Sequence, residues 1–170
     1  MNKQINTEKA PAAIGPYSQA VEANGMVFAS GQLPIDPATG AFAEGGVKEQ
    51  TRQSLTNAKH ILEEAGTDLQ HVVKTTVFLS DMADFAAMNE VYAEFFSQPF
   101  PARSAVAVKT LPKNALVEVE YIAVKYIAAS IHRRVSLGGA LVSSAPPMNE
   151  TAAPHMGICV FYVRTITNKI

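Results

Sequence analysis

The chain has a single cysteine, Cys159, among its 170 residues. An intrachain disulfide is therefore excluded, no thiol pair is available for a metal, and the usage suits a reducing compartment. An excess of one charge is missing too: 14 Lys and Arg against 15 Asp and Glu leave a formal net charge of −1. That balance supplies no electrostatic reason to expect nucleic acid or an anionic membrane as a partner. No apolar run approaches the roughly 20 residues of a membrane span. The opening residues, Met1-Asn-Lys-Gln-Ile-Asn-Thr-Glu-Lys9, have no apolar stretch of the kind a secretory signal needs. These gaps predict a soluble, cytoplasmic protein.

Signatures of familiar chemistry are scarce as well. His60, His71, His132 and His155 are scattered, with no two at the i, i+4 spacing of a metal-binding pair, so no metal is expected. The chain contains no G-x-x-x-x-G-K-[ST], no G-x-G-x-x-G and no G-x-S-x-G. Nucleotide binding and a serine-nucleophile mechanism are thereby left without support, and no cofactor is expected.

What is present describes a globular domain: 48% of residues are hydrophobic and 17% charged, enough for one real core. Lys3–Asn6 reads as an edge strand. Ser18–Ala23 and Met26–Ser30 flank Asn24-Gly25, a strong hairpin signal because both turn residues tolerate positive φ. Gly31 follows, where another backbone or a ligand could come close. From Val47 to Ala65 apolar residues recur at helical spacing, with Glu49 in the first turn and Gly66 as the stop. His71–Leu79 reads as a strand and Met82–Phe96 as a second helix capped by Ser80 or Asp81. Its apolar stripe holds Phe85, Met88, Tyr92 and Phe95/Phe96, with Asn89 beside it as either a surface amide or a hydrogen-bonding group aimed at a cleft. Tyr17 arrives on a loop stiffened by Pro16, as a packing aromatic or as a pocket wall with a polar tip.

The stretch Gln98–Val124 organises the rest. Two apolar runs, Ser104–Val108 and Ala115–Val124, flank a Leu-Pro-Lys-Asn turn and read as neighbouring strands. Arg103 stands at the mouth of the first. Glu118 and Glu120, two apart on the second, share a face. A guanidinium with two carboxylates is either a structural ion pair or a site for a small anion. The predicted architecture is α+β: a single mixed sheet with two helices on one face. The last strand is apolar on both faces, so the uncovered face predicts a homo-oligomer. After residue 127 the texture turns rich in Ser, Ala, Gly and Pro. This predicts a domain over residues 1–127 and a loosely ordered tail over 128–170, with one strand at Ile158–Ile166.

Several motifs together resemble the Rid (reactive intermediate deaminase, formerly YjgF) family over about residues 2–127. They are Ala10-Pro-Ala-Ala-Ile-Gly-Pro-Tyr-Ser-Gln-Ala20, Ser30-Gly-Gln-Leu-Pro34, Lys74-Thr-Thr-Val-Phe78, Asp84-Phe-Ala-Ala-Met-Asn89, Pro101-Ala-Arg-Ser104 and Leu116-Val-Glu-Val-Glu120. The resemblance implies a chorismate-mutase-like fold, a homotrimer with sites between subunits, and hydrolysis of 2-imino acids and their enamine tautomers without a cofactor. It implies that Arg103 holds the substrate carboxylate and Glu118 positions the attacking water. It implies that Tyr17, Ser30, Gly31, Asn89 and Ala105 line the pocket, Ala105 through its backbone where many relatives carry cysteine. The rival expectation is a non-catalytic module that binds small carboxylates in the same cleft. An RNA-directed role is disfavoured by the near-neutral charge and the lack of a basic-aromatic stripe.

Overall fold

A computed structural model describes residues 1–125. The tail expected over 128–170, its strand at Ile158–Ile166, and Cys159, His132 and His155 lie outside the described residues.

Eight regular elements run along the described chain: β1 (Lys3–Ile5), β2 (Ala20–Ala23), β3 (Met26–Gln32), α1 (Val47–Ala65), β4 (Val72–Leu79), α2 (Phe85–Phe95), β5 (Ala102–Ala107) and β6 (Val117–Val124). The β2–β3 turn is closed by Asn24 and Gly25, with φ of 51° and 74°, as a type I′ hairpin requires. Helix α1 begins where the Glu49 carboxylate accepts from the Gly46 N–H (2.9 Å) and ends at Gly66 in the left-handed region. Helix α2 is shorter than the periodicity predicts. Asp81 caps a single 3₁₀ turn, Met82–Asp84, and the α-helix starts only at Phe85.

The strands form one six-stranded sheet in the order β1-β2-β3-β6-β4-β5. Every pairing is antiparallel except β4–β5, because α2 carries the chain across the sheet and returns it parallel. The α+β mixed sheet is as expected, with Leu55, Ile61 and Leu62 of α1 and Met88 of α2 packed over Val27, Val77, Leu79, Val117 and Val119. Twenty buried hydrophobics join in that one core, so both helices sit on one face. The alternation of β6 is clean: Val117, Val119, Tyr121 and Ala123 are buried beneath the helices, while Glu118, Glu120 and Ile122 point to the open face. That open face leaves Phe28 43% and Val106 46% exposed.

One expectation is corrected. The two strands of the Gln98–Val124 stretch are not neighbours: β6 lies between β3 and β4, and β5 pairs with β4 on its far side. The physical reason is burial. β6 is apolar at alternate positions and needs partners on both edges, whereas β5 has mostly exposed or half-exposed residues and tolerates the sheet edge. Among the described residues no helix is long and apolar enough to cross a membrane, and no cluster of three His, Cys, Asp or Glu side chains could hold a metal ion.

Candidate active site

Strand order separates the predicted site residues into two groups. The first is built on β5 and α2. Phe85, Asn89 and Tyr92 are spaced i, i+4, i+7 and so form one row on α2. Arg103 lies over that row, its guanidinium carbon 4.6 Å from the Tyr92 ring centroid and 5.6 Å from that of Phe85. Among the described residues Arg103 has no carboxylate partner, so the structural ion pair that sequence left open is not formed. The Tyr92 hydroxyl is hydrogen-bonded to Thr75 Oγ1 at 2.8 Å, buried between helix and sheet. Burial pushes the Tyr92 phenol up, against the smaller opposing effects of Thr75 and the Arg103 charge. Ala105 follows two residues after Arg103 on the edge strand, where half the backbone groups have no sheet partner.

The second group is built on β6, β3 and the loop before β2. Between Ala29 and Gln32 the register of β3 on β6 slips by one, so Ser30 and Gly31 together oppose Glu120. This bulge brings Gly31 beneath the Glu118 side chain. A Cβ on Gly31 would lie 1.9 Å from Glu118 Oε1 and 2.9 Å from its Cγ. Only glycine permits this contact. The Glu118 carboxyl is raised above its ordinary value, first by burial and second by the neighbouring charge of Glu120. Ser30 is anchored by its Oγ, which donates to the Ser18 carbonyl (2.7 Å), and by its N–H, which donates to the Gln19 carbonyl (3.0 Å).

Tyr17, half exposed, and Gly31 share the wall of a cleft of about 520 Å³ that is also bounded by Ile14, Leu33, Ile35 and Lys113. Buried amides hold the cleft's loops. The Gln19 side chain accepts from the Thr7 N–H (2.7 Å) and donates to the carbonyls of Thr7, Ala10 and Pro11. Asn57 Nδ2 of α1 donates to the carbonyls of Leu33 and Ile35. Gln50 Oε1 accepts from the Leu116 N–H.

Within one chain the two groups do not meet. Arg103 is in register with Thr75 and leans onto the helix side, whereas Glu118 is in register with Phe78 and lies on the open side. Two strand spacings, roughly 10 Å, and the thickness of the sheet separate them. Sequence reasoning placed Phe85 and Tyr92 on a packing stripe and missed that the stripe carries Arg103. The signal was available in an aromatic row at i and i+7 bracketing an amide. It also missed Gln19, Asn57 and Gln50, since nothing in the local pattern distinguishes a buried amide from a surface one.

The geometry defines an α+β protein with an arginine laid on aromatic rings on one side of its sheet and a carboxyl raised by burial on the other. Comparison with known proteins makes it specific. The family described as Endoribonuclease L-PSP matches residues 7–125. A RutC family protein of Pyrococcus horikoshii is 57% identical over 125 residues, covering 74% of this chain and 99% of that protein. The 2-iminobutanoate/2-iminopropanoate deaminase of Salmonella typhimurium is 54% identical over 128 residues, again covering 74% and 99%. The solved structure of the YjgF gene product of Escherichia coli matches with a TM-score of 0.69 at 50% identity, covering 73% of this chain and 99% of that one. The chain belongs to this family, the one that its Rid-like motifs indicated.

Proposed function

We propose that the protein is a deaminase that hydrolyses reactive 2-imino acids and their enamine tautomers, such as 2-aminoacrylate, 2-iminopropanoate and 2-iminobutanoate, to 2-keto acids and ammonia. The observation that carries this reading is the presence of an arginine that makes no ion pair among the described residues and a glutamate whose carboxyl is raised by burial. A 2-imino acid presents a carboxylate next to an electrophilic C=N carbon. The fork of Arg103 matches the carboxylate in a bidentate pair. Glu118 holds a water, takes its proton as the oxygen adds to the C=N carbon, and passes that proton to the departing nitrogen. Collapse of the amino alcohol forms the C=O bond and releases ammonia. Acid–base assistance of this kind contributes about 10²–10⁴-fold, and no step calls for a cofactor. Tyr17, Ser30 and Gly31 line the Glu118 side; Asn89 and the Ala105 backbone line the Arg103 side.

The clamp and the base bind adjacent atoms of one small molecule, yet one chain holds them on opposite faces of its sheet. We therefore infer that the Arg103 side of one copy meets the Glu118 side of another, in a homotrimer that also covers the open face around Phe28 and Val106. A domain over residues 1–127 carries the activity, and 128–170 is an appendage to it. The fit is to a small cytoplasmic metabolite. RNA cleavage, despite the family's description, would need a row of phosphate-binding cations that a net charge of −1 does not favour.

The test is ammonia release from 2-aminoacrylate generated by a serine or threonine dehydratase, on the full chain and on one ending at Lys125. Both forms are expected to be active, and Arg103→Ala is expected to be inactive while still trimeric. Activity surviving in Arg103→Ala would remove the clamp from the mechanism. Binding of small carboxylates without any turnover would replace the enzyme by a binding module.

A further inference from the structure

We propose that Tyr92 is a positioning residue for the Arg103 clamp, holding the guanidinium by its flat face so that its N–H edge is free for a substrate carboxylate. The inference rests on the deaminase reading only in assigning that carboxylate to the substrate. Three contacts converge on the ring. The Arg103 guanidinium sits over it, 4.6 Å from its centroid. The Phe96 ring packs against it with centroids 4.4 Å apart and a tilt of 31°. At the rim, the Tyr92 hydroxyl is hydrogen-bonded to Thr75 Oγ1 at 2.8 Å.

Thr75 is also the residue of β4 directly opposite Arg103 in the β4–β5 register. One register therefore sets both ends of the device, placing Thr75 where it orients the ring and Arg103 where it lies on it. Phe85, two turns earlier in the same row of α2, adds a second ring at 5.6 Å. An arginine side chain free in solution samples many rotamers, and ordering it on binding costs affinity. Here that ordering is done before substrate arrives. A guanidinium is weakly hydrated on its faces and donates in its plane, so stacking leaves the bidentate edge intact. Lysine has neither property. Tyr92 itself is buried.

The test uses the full-length protein, with KM and kcat from ammonia release and the Kd of pyruvate, the stable keto-acid product of 2-aminoacrylate hydrolysis, by calorimetry. Tyr92→Leu keeps an apolar side chain but removes the ring. KM and the pyruvate Kd are expected to rise together, about three- to thirtyfold, with kcat changed far less, the pattern of lost uniform binding. Tyr92→Phe is expected to restore most of that affinity while melting lower than wild type, because Thr75 Oγ1 loses its partner. A purely structural role predicts the reverse order, with affinity following melting temperature.

Unchanged KM and Kd in folded Tyr92→Leu, or equal losses in Tyr92→Phe and Tyr92→Leu, overturn the proposal. Should Tyr92→Leu fail to fold, Phe85→Leu at the longer distance is read instead. A rise of roughly twofold or more in both constants supports the aromatic platform, and no change overturns it. If the wild type binds pyruvate but releases no ammonia, the deaminase reading falls and the same series is decided on Kd alone. If it binds no pyruvate, clamp and positioning fall together.

Discussion

Gly31→Ala is the substitution that separates the chemistry from the fold. Its Cβ would stand 1.9 Å from Glu118 Oε1, 2.7 Å from Cδ and 2.9 Å from Cγ. All three distances are below any tolerable contact, so the Glu118 side chain has to leave its present position. The obstacle is the end of a flexible, half-buried side chain rather than backbone. A changed rotamer costs of order 0.5–1.5 kcal/mol, well short of the several kcal/mol typical of core disruption. The fold is therefore expected to survive with a melting temperature only a few degrees lower. Activity is expected to fall about 10²–10⁴-fold, because the displaced carboxylate would no longer hold the water that the proposed mechanism assigns to it. Pyruvate affinity, which the proposed clamp assigns to Arg103 on the other surface, is expected to stay close to wild type. Ammonia release, thermal melting and calorimetry together read these quantities. Activity within roughly tenfold of wild type would refute the assignment of Glu118 to the attacking water.

Three more predictions follow from single residues. The Glu118 carboxyl is raised above the ordinary 4.5 by burial and by Glu120. Whatever stability its protonated form contributes is complete below the ordinary carboxylate range and lost as pH rises through the raised value. Glu118→Gln is thus expected to raise the melting temperature at neutral pH but not at acid pH, and to abolish an acid limb of the wild-type kcat profile that lies above pH 4.5. Gln19→Ala leaves the Thr7 N–H and three loop carbonyls without their partner. We expect about 1–3 kcal/mol of lost stability in denaturant unfolding, with faster proteolysis of the loop that carries Tyr17. Lys113 and Asn114 both have positive φ, 55° and 59°. For lysine that conformation costs about 1–2 kcal/mol, so Lys113→Gly is expected to stabilise the protein by up to about 1 kcal/mol.

Much of this protein was legible residue by residue. The Asn24-Gly25 hairpin, the bounds of α1 from Val47 to Ala65 and the shared face of Glu118 and Glu120 all follow from interactions within a few residues. A left-handed turn, a 3.6-residue period and the two-residue pleat are properties of the local chain. The motifs that carry the Rid resemblance are likewise contiguous. The buried amides are different. Gln19, Gln50 and Asn57 look like surface residues in sequence, because the backbone groups they bind lie 8 to 66 residues away.

Sheet order was decided elsewhere. Adjacent in sequence, β5 and β6 suggest a paired hairpin with Arg103 and Glu118 side by side. The fold instead gives β6 two partners and sends β5 to the edge, because the buried face of β6 is worth more between β3 and β4 than beside β5 alone. That choice lays Arg103 on the Tyr92 and Phe85 rings and puts Glu118 on Gly31, on opposite faces of one sheet. Local sequence supplied the proposed reacting groups and their faces. Only long-range strand pairing, driven by burial, determined that a single copy keeps them apart.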